Sequence, residues 1–183
     1  MKKMKNLVPC AVCIFLISAC SQTITEPFEA DFTGNYVSYL PDAKCGECPV
    51  DTAGNPVGPE CWTMVINEGS GTSTHLGNFT HYFEFCGDDL SGIYPGDHMI
   101  AYFIDENGDT LKVSCAGKVL VGRTKDHPEH VNSYWKDPFV IEGGSGRFEG
   151  ATGEGMTDDY NSDQDPFSHH HWKGTITLVK GNK

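Results

Sequence analysis

The sequence predicts an all-β protein, a single antiparallel barrel of about eight strands that carries one long cysteine-containing loop. No segment keeps the residue period of an amphipathic helix over about ten positions. Short runs of alternating apolar and polar residues recur instead, separated by clusters of glycine, proline, asparagine and aspartate. Asn107-Gly108 stands between two such runs and is a strong signal for a β-hairpin. A barrel is favoured over an open sheet because closure removes exposed edges.

The predicted strands are short and lie at hairpin spacing along the chain. In the run 74–86, Phe79, His81, Phe83 and Phe85 fall on one face, because side chains alternate across a strand. Residues 41–60 hold too many prolines, glycines and polar residues for a strand, and they are predicted as the long loop. The other predicted strands are residues 35–40, 62–66, 99–104, 110–121, 139–142 and 172–179.

The glycine-rich stretch IEGGSGRFEGATGEG, residues 141–155, is predicted to be a turn rather than a phosphate-binding loop. A dinucleotide fingerprint would need a third glycine where Glu149 stands. A P-loop would need a lysine, and none occurs between Lys136 and Lys173. Glycine allows positive φ and close backbone approach, so these residues are assigned to a tight turn entering a strand. The turn glycines are Gly143, Gly144, Gly146, Gly150 and Gly153.

Residues 143–153 resemble the glycine hairpin of plant dirigent proteins and allene oxide cyclases. The resemblance lies in Phe148 followed by Ala151-Thr152-Gly153 at the spacing of those families. Residues 71–79 and 107–111 also resemble segments of secreted bacterial proteins of the same barrel class. Together these segments cover roughly residues 71–153. The resemblance implies a calycin-like, eight-stranded antiparallel barrel; it implies no catalytic residue, because the matching hairpin is a turn.

The N-terminus has the pattern of a bacterial lipoprotein signal. Lys2, Lys3 and Lys5 precede a short apolar run, and Leu16-Ile17-Ser18-Ala19-Cys20 resembles a lipobox. Residues 1–19 are therefore predicted to be a signal peptide that is removed, and Cys20 to be lipidated. An ordinary secretory signal with an incidental cysteine is the alternative. Residues 20–31 are predicted to be a polar tether and residues 32–183 the barrel domain.

This organisation predicts a lipid-anchored protein of the bacterial cell envelope, whose partners include the membrane through Cys20. The formal net charge is −12, and removal of residues 1–19 takes away three lysines and no acid, which moves the charge to −15. So acidic a protein repels nucleic acid and anionic lipid headgroups, and neither is an expected partner. The predicted location is the outer membrane, on its periplasmic or its surface side.

Export favours oxidised cysteines. Cys45, Cys48, Cys61 and Cys86 are predicted to form two disulfides that tie the long loop to the barrel, each contributing about 2–4 kcal/mol. A four-cysteine zinc site and a redox pair are the alternatives. Cys115 is the predicted free thiol, because about two strand spacings separate it from Cys86, which is beyond the reach of a bridge.

The candidate binding residues are those expected to face the barrel interior. His81 lies between Phe79 and Phe83, and an ionisable group among aromatic rings suits a barrel that orients a mostly apolar ligand. A hydrogen-bonded core histidine is the structural alternative. The predicted cavity residues are His81, Phe83, Trp62, His170 and Trp172.

Two segments have some features of metal sites, but no metal and no cofactor is predicted. Asp159, Asn161, Asp163 and Asp165 alternate as in a calcium loop, but Gln164 stands at the required glycine position, and a solvated acidic loop is favoured. In the tract 169–171 the first and third histidines share one face of a strand and the middle one faces the other way, so a chelating cluster is disfavoured.

The function predicted from these observations is non-catalytic: the exported barrel binds a small, partly apolar ligand or an envelope component. One alternative is a cyclase- or isomerase-like enzyme in which pocket shape steers the reaction and His81 acts as acid or base. A second alternative is a structural or interaction protein whose barrel is filled by its own side chains.

Overall fold

The computed structural model describes residues 22–96 and 99–181, and this part of the chain is almost entirely β-structure. A single turn of 3-10 helix spans Gly146–Phe148. None of the helical structure in the described residues is long and apolar enough to cross a membrane. The strands are β1 (Thr23–Pro41), β2 (Trp62–Ser73), β3 (Gly77–Asp88), β4 (Ile93–Tyr94), β5 (Ile100–Asp105), β6 (Thr110–Cys115), β7 (Gly117–Lys118), β8 (Leu120–Val121), β9 (Val131–Trp135), β10 (Pro138–Gly144), β11 (Thr152–Thr157), β12 (Asp159–Ser162) and β13 (Phe167–Val179).

Eight of these strands close into an antiparallel barrel. Their order is β1-β2-β3-β5-β6-β10-β11-β13, and β13 pairs back with β1. The remaining short strands extend the wall: β12, β9 and β8 follow from β13, and β4 pairs with β7. The predicted fold class, a single antiparallel barrel of about eight strands with a cysteine-containing loop, is confirmed.

The two ends of the barrel differ in the length of their connections. At one end, which we call the closed end, tight turns join β2 to β3, β5 to β6 and β10 to β11. At the other end, which we call the mouth, the connections 42–61, 89–99 and 116–137 are long. Both predicted turns lie at the closed end: Gly108 has a φ of +85°, and Gly146 and Gly150 have φ values of +57° and +70°.

The predicted tether is wrong for residues 23–31. These residues form the first half of β1 and pair with β13 in a register that begins at Thr23 opposite Val179. The segment looks polar because Glu29 and Asp31 face solvent, whereas the alternate residues Phe28 and Ala30 are buried inside the barrel. The barrel therefore begins before residue 32. The predicted signal peptide (residues 1–19) and Cys20 lie outside the described residues.

The interior of the closed half is filled by aromatic side chains. Trp172 stacks on Phe139 with ring centroids 4.8 Å apart, and Phe32 contacts Phe103 edge to face at 5.3 Å. Glycines on neighbouring strands make room for these rings: a Cβ atom on Gly155 would lie 2.5 Å from the ring of Phe139. An eight-stranded barrel is just wide enough for its own side chains, and these rings belong to its buried core.

Both predicted disulfides are present and hold the long loop against the outer wall. Cys45 is bonded to Cys86 on β3, and Cys48 is bonded to Cys61 just before β2. With all four cysteines paired, neither the zinc site nor a free redox pair remains among them. Cys115 is free and buried, as the strand geometry predicts.

Candidate functional site

Two neighbouring cavities occupy the mouth of the barrel. The outer cavity has a volume of about 500 Å³ and the inner one about 60 Å³. They share the lining residues Tyr36, Phe85, Tyr94 and Val119, which we call the throat. The outer volume lies in the range of small-molecule sites, so the mouth is large enough for a ligand and the inner cavity for only one end of it.

Local irregularities in the strands shape the outer cavity. The pairing of β1 with β2 shifts register between Tyr36 and Ser38, which brings Tyr39 opposite Val65 on the inward side. On the other wall, the β3–β5 connection turns back so that β4 places Tyr94 at the throat, where its hydroxyl donates to Asp137. Burial and the nearby Cys115 raise the pKa of Tyr94, so that its hydroxyl stays protonated.

Two adjacent carboxylates lie at the rim of the outer cavity. Asp88 is buried and accepts backbone N–H groups of Cys61 at 2.7 Å and Ser91 at 3.1 Å. Burial alone would raise the pKa of Asp88, but these hydrogen bonds outweigh it and lower the pKa. Asp89 is exposed and accepts hydrogen bonds from the hydroxyls of Tyr39 and Thr63. Asp88 thus holds the backbone at Cys61 and Ser91 in place, and Asp89 faces the opening of the outer cavity.

A chain of buried hydrogen bonds forms the polar floor below the throat. Nε2 of His81 donates to Oδ1 of Asn67 at 2.8 Å, and Nδ2 of Asn67 donates to the hydroxyl of Ser168 at 3.0 Å. That hydroxyl donates to the carbonyl of Gly34, so it must accept at its contact of 2.8 Å with Nε2 of His170. Nε2 of His170 therefore carries a hydrogen.

The other side of the His170 ring faces a buried acid. Nδ1 of His170 lies 3.2 Å from Oδ2 of Asp159, which is 1% exposed and also accepts the indole N–H of Trp172 at 3.1 Å. Since Nε2 already carries a hydrogen, a neutral His170 would point a lone pair at an ionised carboxylate. Nδ1 of His170 and the carboxylate of Asp159 thus face each other as a buried pair, although their contact does not have the geometry of a hydrogen bond.

Three of the five predicted cavity residues line the inner cavity, namely Phe83, His170 and Trp172. His81 is inside the barrel and 3% exposed, but it lies beside the cavity, packed between Phe32 and Phe83. Burial, together with the charge of His170, lowers the pKa of His81 to about 3. His81 is thus neutral at physiological pH. It fits the alternative interpretation of the sequence, a hydrogen-bonded histidine of the core.

The placement of Trp62 in the cavity is wrong. In β2 the inward side chains are those of Thr63, Val65 and Asn67, so Trp62 points to the outer face. There its indole N–H donates to Glu60 at 2.8 Å. The sequence predicts where β2 lies, but which of its two faces points inward depends on its pairing with β1 and β3.

Sequence reasoning missed Asn67 and Asp159 as floor residues. Asn67 lies beyond the predicted end of the strand at residue 66, although the alternation from residue 63 continues through it. Asp159 belongs to the segment 158–165 that was interpreted as a solvated acidic loop, but the structure makes residues 159–162 strand β12 and buries Asp159. No local signal distinguishes this aspartate from its exposed neighbours.

Within residues 22–96 and 99–181, no three His, Cys, Asp or Glu side chains are grouped to hold a metal ion. The histidines on the outer face are paired separately: His169 lies 3.1 Å from Asp165 and stacks on Tyr160, and His171 contacts Asp31. These contacts keep the two imidazoles apart.

Comparisons with known proteins add no relative. No protein-family model, no curated protein and no solved structure matches the chain. The candidate site therefore rests on its own geometry.

Proposed function

We propose that the protein is an exported, lipid-anchored binding protein that holds a small, partly apolar ligand in the mouth of its barrel. The observation that carries this proposal is the pair of neighbouring cavities, because the outer one, of about 500 Å³, shares its aromatic throat residues with an inner one that is lined by the polar floor. Binding sites combine such apolar walls with a few fixed polar groups. Membership of the allene oxide cyclase and dirigent-like class, and anchoring through Cys20, are parts of the same proposal.

The division of the barrel into a filled half and an open half supports binding over a purely structural role. Aromatic rings fill the closed half, which gives the mouth a rigid base. The inner cavity is lined by Met99, Ala101 and Cys115 together with the floor residues Asn67 and His170. A ligand that enters the throat would thus meet apolar walls first and hydrogen-bonding groups at the end.

The proposal is tested by titrating the purified protein with the apolar dye N-phenyl-naphthylamine and measuring dye fluorescence. Val119 lies in the throat, so Val119→Trp should block entry and abolish the increase in fluorescence. Val140 is 48% exposed on the outer wall, and Val140→Trp is the matched control that should bind as the parent does. Failure of the parent to bind, or equal binding by Val119→Trp, would contradict the proposal.

An enzymatic role remains the second candidate because an acid–base pair lines the inner cavity. His170 and Asp159 could hold and transfer a proton beside a bound substrate, whereas His81 does not reach the cavity. For a cyclase- or isomerase-like reaction, His170→Gln should abolish turnover of a bound compound without abolishing its binding. Recovery of bound compounds unchanged after prolonged incubation would favour the binding protein.

A further inference from the structure

The outer cavity is negatively charged and has no cationic lining. Asp88 and Asp89 belong to its lining, and no lysine, arginine or histidine does so among the described residues. Both carboxylates are bonded to neutral donors, and in the described ranges neither lies in an ion pair with a basic side chain. The rim thus carries negative charge that the protein itself does not neutralise.

Aromatic faces stand beside this charge. The rings of Tyr36 and Tyr39 meet edge to face with centroids 6.4 Å apart, and both line the outer cavity. Burial raises the pKa of Tyr39, and the adjacent carboxylate of Asp89, which accepts its hydroxyl, raises it further. Aromatic rings attract cations through their faces, and a nearby carboxylate adds to that attraction.

The inner cavity offers room for an apolar group beside this charge. Its lining is mainly apolar and includes Phe83, Met99 and Trp172. A ligand that occupied both cavities would thus have one charged end and one apolar end.

We propose that the mouth is selective for a partly apolar ligand with one positive charge, an amine or a quaternary ammonium. Its charged group docks between Asp89 and the rings of Tyr36 and Tyr39, and its apolar part passes the throat into the inner cavity. This inference rests on the proposed binding function and specifies its ligand class. An anionic ligand of the same shape is disfavoured by the two carboxylates.

The test compares probes that share one alkyl chain and differ in charge. Decyltrimethylammonium, decyl glucoside and decanoate, each below its micelle-forming concentration, compete with N-phenyl-naphthylamine for the purified protein. The cation should bind about tenfold more tightly than the neutral probe, and decanoate more weakly than both. The preference for the cation should shrink as salt is raised, because the site is open to solvent.

Two variants assign the selectivity to the rim. Asp89→Asn keeps an oxygen that can accept from Tyr39 but removes the charge, so it should weaken the cation about tenfold and leave the neutral probe unchanged. Glu154, exposed on the outer wall in β11, provides the matched control Glu154→Gln, which should change neither affinity. Equal affinities for the three probes would overturn the inference and leave the proposed function intact. Binding of no probe at all would overturn the proposed function.

Discussion

Replacement of the buried Asp159 by asparagine tests the polar floor most directly. The carboxylate faces three partners: Oδ1 accepts the backbone N–H of His171 at 3.1 Å, and Oδ2 accepts the indole N–H of Trp172 at 3.1 Å and faces His170 at 3.2 Å. Asparagine has one oxygen where aspartate has two. Whichever way the amide is turned, its NH₂ group meets an N–H donor, and one buried donor loses its acceptor.

The expected loss of stability follows from these contacts. One buried donor left without an acceptor costs about 1–3 kcal/mol. The substitution also removes the carboxylate that Nδ1 of His170 faces, and removal of one partner of a buried ion pair costs about 3–5 kcal/mol in total. For a domain of this size that corresponds to a fall of about 6–20 °C in the melting temperature.

Chemical denaturation at pH 7 measures this loss as a shift of the midpoint at constant slope. Asp126 is exposed, and Asp126→Asn is the matched control, with an expected change within about 0.5 kcal/mol. The double variant with His170→Gln completes a cycle, in which a coupling of at least about 1 kcal/mol is expected. A loss below about 1 kcal/mol for Asp159→Asn, or no coupling with His170, would refute the pairing of Asp159 with His170.

Three further changes test other parts of the barrel. Arg147→Met should cost about 2–4 kcal/mol at pH 7, because Asp105 has no exposed side-chain area and loses a guanidinium that is only about a third exposed. Burial opposes ionisation of Asp105, but its backbone hydrogen-bond donors and Arg147 lower its pKa. The stability lost in Arg147→Met should therefore become smaller as the pH falls below about 4 and Asp105 becomes protonated. Gly34→Ala should cost about 2–4 kcal/mol, since the new methyl group would overlap the hydrogen-bonded amide of Asn67. Cys115 should resist alkylation at pH 8 in the folded protein, because burial raises the pKa of its thiol to about 12.

Each of these predictions has its own measurement. Unfolding of Arg147→Met is compared with that of the parent protein at pH 7 and pH 3, and a loss that stays constant between them would contradict the role of Asp105. For Gly34→Ala the control is Gly87→Ala, whose methyl group has no atom nearer than 3.9 Å and should be tolerated. Mass spectrometry of intact protein follows alkylation of Cys115, and rapid labelling of the folded state would show that the thiol is accessible.

The strands and turns could be predicted from local sequence because their signals are local. The alternation from Phe79 to Phe85 identified the inward face of β3, and the Asn107-Gly108 turn identified the β5–β6 hairpin. The two disulfides were predicted from the number of cysteines and the predicted export of the chain, although their pairing was not. These features can be predicted from neighbouring residues in the sequence or from standard strand distances.

The site was harder to predict because its parts come together through pairing between distant strands. Asn67 and Ser168 are separated by 101 positions and meet only because β1 lies between β2 and β13. The acidity of the segment around Asp159 suggested solvent exposure, and only the pairing of β12 with β9 and β13 explains its burial. The polar first part of β1 was predicted as a tether for the same reason, although alternate residues of this segment face the barrel interior.

The course of β1 sets the distance between the two ends of the barrel. Thr23 lies at the closed end, three residues after the proposed lipid site, and Tyr39 lies at the mouth. Sixteen residue steps of about 3.3 Å, tilted by about 40°, place the mouth roughly 40 Å from the closed end, a distance of several Debye lengths. In a molecule anchored through Cys20 with its closed end toward the bilayer, the mouth would therefore take up ligand from the surrounding water.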